Sequence, residues 1–220
     1  MPTATLEEYL ETIYKLSERG TVRPTPIAEA LGVSGPTVTA TLRRLEARGL
    51  ITRDAGDVVL TDEGRMLAID IVRRHRVAER FLVDVLGLAW EEAHEDACRL
   101  EHALSPRVME ALEEYLDNPE VCPHGHPIPS AGGEIVPVEG VLLCDVGSGQ
   151  TSRIVQVSED DEAMLTYLGS LGMYPGTLVR VCEVAPFKGP LLIEVNGTAY
   201  ALGRDVAEQI LVEVADPDRV

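Results

Sequence analysis

Apolar residues recur at positions 6, 10, 13 and 16 of LEEYLETIYKLSERG, which predicts one amphipathic helix ending at Gly20. The next stretch, PTPIAEALGVSGPTVTATLRRLEARGLI, predicts a short helix from Pro26 to Leu31 and a turn at Gly32-Val33. A second helix is opened by Ser34, with Pro36 in its first turn. Ala28, Leu31, Val33, Val38, Leu42 and Leu45 supply the buried seam of a helix-turn-helix. ITRDAGDVVLTDEG then reads as two short strands around a glycine turn, the wing of a winged helix-turn-helix.

From Asp62 to about Asp117 the pattern is helical, with brief breaks at Gly87 and Pro106. Its apolar positions (Leu82, Val85, Leu86, Leu88, Leu100, Leu104, Val108, Leu112) exceed what a small winged domain buries. Self-association through these helices, or cover from a further domain, would account for them. PHGHPIPSAGGEIVPVEG reads as a linker. From about Val141 to Val214, the runs SRIVQVS, TLVRVCEV, LLIEVNGTAY and AEQILVEV alternate with glycine turns, so a small β-barrel is expected. The expected fold is mainly α with a small all-β C-terminal domain. Its parts are a winged DNA-reading domain over 1–72, a helical domain plus linker over 73–140, and the barrel over 141–220.

A net charge of −18 argues against nucleic-acid binding until its distribution is considered. Residues 1–60 hold seven basic against eight acidic groups, whereas 61–140 hold seven against seventeen. Arg43, Arg44, Arg48 and Arg53 cluster in the near-neutral part, and a local basic face is what phosphate contact requires. Four scattered cysteines without a CxxC pair, and no signal-peptide-like start, point to a reducing, cytoplasmic protein. No stretch reaches membrane-spanning length.

Cys98, Glu101 and His102 stand at i, i+3 and i+4 in HEDACRLEHAL, with His94 one turn earlier. On a helix all four project from roughly one face, and a thiolate, a carboxylate and an imidazole together suit a transition metal. His75 and Glu79 repeat the i, i+4 spacing in RRHRVAERF. Taken singly, Cys98 would be a buried thiol, His75 and Glu79 an ordinary helix pair, and Glu8 a first-turn charge. Cys122-x-His124-x-His126 has no strong structural-zinc spacing and reads as a turn entering the linker. Cys144 and Cys182 fall in predicted strands and read as core. No triad order or CxxC supports a thiol hydrolase or oxidoreductase.

In order through residues 6–129, EEYLETIYKL, IAEALGVSGPTV, VVLTDEGR, RRHRVAERFLVDVLGL, HEDACRLEH and CPHGHPIP resemble the diphtheria toxin repressor (DtxR) and manganese transport regulator (MntR) metalloregulators. The C-terminal runs look like the SH3-like domain of the longer members. The resemblance implies a homodimeric repressor, not an enzyme, that binds double-stranded operator DNA when loaded with Mn(II) or Fe(II) at two sites per subunit. It places a primary site on Glu8, Cys98, Glu101 and His102, with Glu11 able to bridge or replace a donor. An ancillary site falls on His75, Glu79 and His94, completed from the acidic run SEDDEA by Glu159, Asp160 or Glu162.

Two departures from the family pattern bear on the metal. Iron-type members carry methionine at the position of Glu8, and manganese-type members usually carry a carboxylate at that of Cys98, so the donor set is a hybrid. In the recognition helix Ser34, Pro36, Thr37 and Thr39 match, while Ala40 replaces a base-facing glutamine with a methyl group suited to thymine. Arg43, Arg44, Arg48 and Arg53 are the expected phosphate contacts. The alternative is a metal-storage protein or metalloenzyme whose winged domain mediates protein contacts.

Overall fold

A computed structural model describes residues 3–159 and 161–214. The chain divides into two units, the first made of Met1–His75, Arg99–Met109 and Pro129–Ile135 and the second of Arg76–Cys98, Glu110–Ile128 and Val136–Val220.

The first unit begins with α1 (Ala4–Arg19), α2 (Pro24–Ala30) and α3 (Gly35–Ala47). Ser34 caps α3 by accepting from the Thr37 amide, and Pro36 sits in its first turn, as the sequence predicts. Val38, Leu42 and Leu45 are fully buried, and Ala28, Leu31 and Val33 pack partly against them. The wing is β1 (Ile51–Asp54) paired antiparallel with β2 (Asp57–Leu60) across a turn where Ala55 and Gly56 both take positive φ. Helix α4 (Asp62–Arg80) starts against the wing. A Cβ on Gly64 would lie 1.9 Å from the Leu50 carbonyl oxygen, so only glycine permits this approach.

Helix α4 runs on into a π-helical turn, Phe81–Val85, in which the Leu86 amide bonds the Phe81 carbonyl. The helical pattern is more broken than its periodicity suggests. Non-helical chain separates this turn from α5 (Ala93–Glu101), and another gap precedes α6 (Pro106–Tyr115). Leu82 and Leu104 are buried, whereas Val85, Leu86 and Val108 remain exposed.

In the second unit six strands form one antiparallel sheet in the order β3-β8-β4-β5-β6-β7. They are β3 (Val141–Leu142), β4 (Thr151–Val157), β5 (Leu178–Val184), β6 (Leu191–Val195), β7 (Thr198–Leu202) and β8 (Ile210–Val214). The run LLIEVNGTAY is two strands rather than one, because Asn196 and Gly197 take the paired positive φ angles of a tight hairpin turn. Two helices interrupt the strands, α7 (Glu162–Ser170) and the short α8 (Arg204–Ala207). Asp161 caps α7 at the Met164 amide, and Leu165 and Leu168 face the core.

The expected linker is in part ordered architecture. Residues Val121 and Pro127 form a bridge, Arg76 donates to the Pro127 carbonyl, and Arg80 donates to the Val121 carbonyl. The Val157 amide bonds the His124 carbonyl. Gly125, at φ +87°, lets the turn close on β4, since a Cβ there would meet the Val155 carbonyl oxygen at 2.0 Å.

Candidate metal centres

In the first unit, three buried side chains from three helices converge. Glu11 of α1, His75 of α4 and Glu101 of α5 place one donor atom each within 4.8 Å of the others. His75 Nδ1 lies 2.7 Å from Glu101 Oε2. His102 spans two carboxylates, with Nδ1 at 2.8 Å from Glu7 Oε2 and Nε2 at 3.4 Å from Glu101 Oε1. Arg74 donates to the Glu101 carbonyl and approaches Glu7, fixing the end of α5 beside α1. Burial pushes the Glu101 carboxyl above its ordinary range. Glu11 adds to that, and the bond to His75 opposes it.

In the second unit Glu79, Cys122, His124 and Glu159 are all buried, and their donor atoms lie within 4.8 Å of one another. His124 Nδ1 is 3.5 Å from Glu79 Oε2 and 4.0 Å from Cys122 Sγ, which is itself 4.0 Å from Glu159 Oε2. His124 Nε2 lies 3.1 Å from the Trp90 carbonyl, an acceptor that requires the proton on Nε2 and leaves the Nδ1 lone pair for the cluster. His94 Nδ1 stands 3.3 Å from Glu79 Oε1, and His94 Nε2 is 3.7 Å from Cys98 Sγ. His126 bonds the Val157 carbonyl at 2.9 Å and lies 3.6 Å from Glu159.

Burial drives the Cys122 thiol well above its usual value, and the carboxylates of Glu79 and Glu159 drive it further. Burial lowers His126 despite Glu159 beside it. Two carboxylates, a thiol and an imidazole buried together are a costly arrangement, which the nearby Arg76 guanidinium relieves in part. The same four are a fitting donor set for a divalent transition metal, which would add positive charge and displace the thiol proton.

The residues read from sequence distribute unevenly. Glu11, His75 and Glu101 meet in one cluster, and Glu79 and Glu159 in the other. Glu8 is exposed on α1, because the helical phase that buries Leu6, Leu10 and Ile13 turns Glu7 and Glu11 inward instead. Glu162 is exposed in the first turn of α7, and Asp160 lies outside the described residues. Sequence reasoning passed over Glu7, Cys122 and His124. The C-x-H-x-H run was the available signal, but its partners stand far away along the chain at positions 79 and 159.

On α3 and at its cap, Ser34, Pro36, Thr37, Ala40, Arg43 and Arg44 are exposed and Thr39 is half-buried. Ser34 and Thr37 share a hydroxyl contact, and Thr39 bonds the Gly35 carbonyl. Arg48 is exposed just after the helix. Arg53, on the wing, is paired with Glu46 through Nε at 3.0 Å and through Nη2. Arg23 pairs likewise with Asp57 at 3.2 Å.

Family models match the chain in three consecutive segments. An iron-dependent repressor N-terminal DNA-binding domain covers residues 1–54, and an iron-dependent repressor metal-binding and dimerisation domain covers 61–130. A FeoA domain covers 141–214. The chain is 40% identical over 224 residues to the iron-dependent repressor IdeR of Mycobacterium leprae, spanning 95% of this chain and 96% of that one. Its structure resembles a manganese-dependent transcriptional repressor in complex with manganese, with a TM-score of 0.87 and 35% identity, over 96% of this chain and all (100%) of that one. ScaR with bound Cd2+ is similar at a TM-score of 0.81 and 35% identity, over 96% of this chain and 99% of that one. Among the described residues no helix is long and apolar enough to cross a membrane. With its DNA-binding, metal-binding and dimerisation segments in the order of its relatives and along nearly their whole length, the chain belongs to the iron-dependent repressor family: it is a metal-dependent, DNA-binding transcriptional repressor and not an enzyme.

Proposed function

We propose that this repressor acts as a homodimer on double-stranded operator DNA and responds to Mn(II) or Fe(II) through two centres per subunit. The observation that carries the reading is the convergence of two separate sets of buried donors in one chain of known regulatory family. One centre uses Glu11, His75 and Glu101, with His102 and Glu7 beside them. The other uses Glu79, Cys122, His124 and Glu159, with His94 and Cys98 adjoining. Glu8, exposed on α1, is a donor candidate by motif position alone.

The similar proteins include an iron-dependent repressor, a manganese-dependent repressor in complex with manganese, and ScaR with bound Cd2+. The oxygen and nitrogen donors around Glu101 suit Mn(II) or Fe(II), the harder end of that range. Ser34, Pro36, Thr37, Thr39 and Ala40 face the groove, and Arg43, Arg44, Arg48 and Arg53 the phosphates. Val85, Leu86 and Tyr115, exposed in the second unit and within the matched dimerisation segment, are residues offered to a second copy.

Fluorescence anisotropy on DNA from the protein's own promoter region tests the reading. Mn(II), or Fe(II) without oxygen, should raise affinity strongly over chelator; coupling of about 1–3 kcal/mol is usual between such sites. Equal affinity with metal and with chelator would sink it.

A further inference from the structure

Trp90, the only tryptophan of the chain, lies in the non-helical segment between the π-helical turn and α5 and is 6% exposed. Its ring packs on His124 at a centroid distance of 5.2 Å and an interplanar angle of 31°. Tyr174 meets it edge-on at a centroid distance of 4.9 Å. The indole is seated by Gly169 of α7: a Cβ there would come 3.0 Å from Trp90 Nε1 and 3.2 Å from Tyr174 Oη. Tyr174 closes the group by donating to the Gly169 carbonyl at 3.2 Å. Among the described residues the buried indole Nε1 has no hydrogen-bond partner.

A tryptophan kept inside a core with its N–H unpartnered is not kept for that N–H. What it offers is a flat face against an imidazole, and a carbonyl that bonds the same imidazole at Nε2. One residue thus sets both the tautomer and the ring plane of His124. We infer that Trp90 is a positioning residue for the Glu79–Cys122–His124–Glu159 centre, holding the Nδ1 lone pair of His124 toward Cys122 and Glu79. The inference rests on the reading of that cluster as a metal centre. Through Tyr174 and Gly169, the same packing joins the plane of His124 to α7 in the sheet-bearing unit.

Co(II) titration of the full chain, followed by absorption, tests this. The thiolate band that Cys122→Ser removes reports this centre alone. Trp90→Leu should weaken Co(II) binding at that band by about tenfold or more, as loss of an outer partner of a ligating histidine does, and should shift the visible bands. Trp90→Phe, which keeps a ring on His124, should recover most of the affinity. A folded Trp90→Leu with unchanged affinity and spectrum overturns the role of Trp90 while leaving the metal centre standing. Absence of any Cys122-dependent band in the wild-type protein overturns both. A measurement on the unmutated ring guards against misfolded variants: Zn(II) should alter tryptophan emission in the wild type but not in Cys122→Ser. Emission indifferent to Zn(II) counts against the inference.

Discussion

The two donor clusters differ both in the elements that present them and in chemistry. In the first unit the donors are carboxylates and an imidazole from α1, α4 and α5, each held by a regular helix. In the second, α4 supplies only Glu79. Cys122 and His124 come from a turn stitched to β4, and Glu159 from the chain just beyond that strand. The first is a hard set presented by stiff elements. The second contains a soft sulfur presented by irregular backbone that arginines, a glycine and a tryptophan must hold in place. A divalent metal of intermediate hardness can use either, so preference between centres becomes a property of the metal rather than of the chain.

The largest expected effect follows from the sulfur. Cys122→Ala should cost the second centre about a hundredfold or more in Cd(II) or Zn(II) affinity, the top of the range for loss of a ligand's outer partner, while the change in Mn(II) affinity at the first stays small. Calorimetric titration with each metal reads this directly, and equal losses for hard and soft metals would erase the distinction between the clusters. Next comes Gly125→Ala. Its φ of +87° costs a side chain about 1–2 kcal/mol, and the overlap with the Val155 carbonyl adds to that. Thermal unfolding should show a clear drop, accompanied by weaker binding at the second centre only.

Acidity separates the centres in a graded way. The Cys122 thiol, raised by burial and by Glu79 and Glu159, holds its proton at neutral pH, and a bound metal requires the thiolate. Affinity there should therefore climb with pH, by about tenfold per unit for each proton released. Glu101 is also raised, but from the carboxylate range, so proton competition at the first centre ends at lower pH. Metal titrations across mildly acidic to alkaline pH should show the first curve levelling while the second still rises; parallel curves would contradict it. The smallest effect belongs to α1. Glu7→Gln weakens the contact to His102, whereas Glu8→Gln changes an exposed residue, so Mn(II) affinity should respond more to Glu7. The opposite order would restore Glu8 as the donor.

How much of this was legible in the chain depends on how local each feature is. The winged domain is written in nearby residues: Ser34 caps α3, Pro36 follows it, and a 3.6-residue seam runs through Val38, Leu42 and Leu45. Glu101 and His75 are legible in the same way, through i, i+3 and i, i+4 spacing. Helix α7 was hidden in a region dominated by β-rich runs, because nine residues with Gly169 near the end leave little periodicity to read. The second centre was hidden for a different reason. Glu79, Cys122 and Glu159 are separated by tens of residues, and only the fold of the turn around Gly125 brings the middle of that set to its partners.

The pairing of Arg53 with Glu46 ties the wing to the recognition helix, and it also bears on ionic strength. Each phosphate neutralised on duplex DNA releases counterions and contributes about 0.9 to the slope of log affinity against log salt. An arginine already answered by a carboxylate releases fewer ions when it meets a phosphate. If Arg43, Arg44 and Arg48 are the remaining phosphate contacts, they set most of the slope. The repressor should lose its operator less steeply as salt rises than its count of basic residues implies, which a salt series of the anisotropy titration at fixed metal would read.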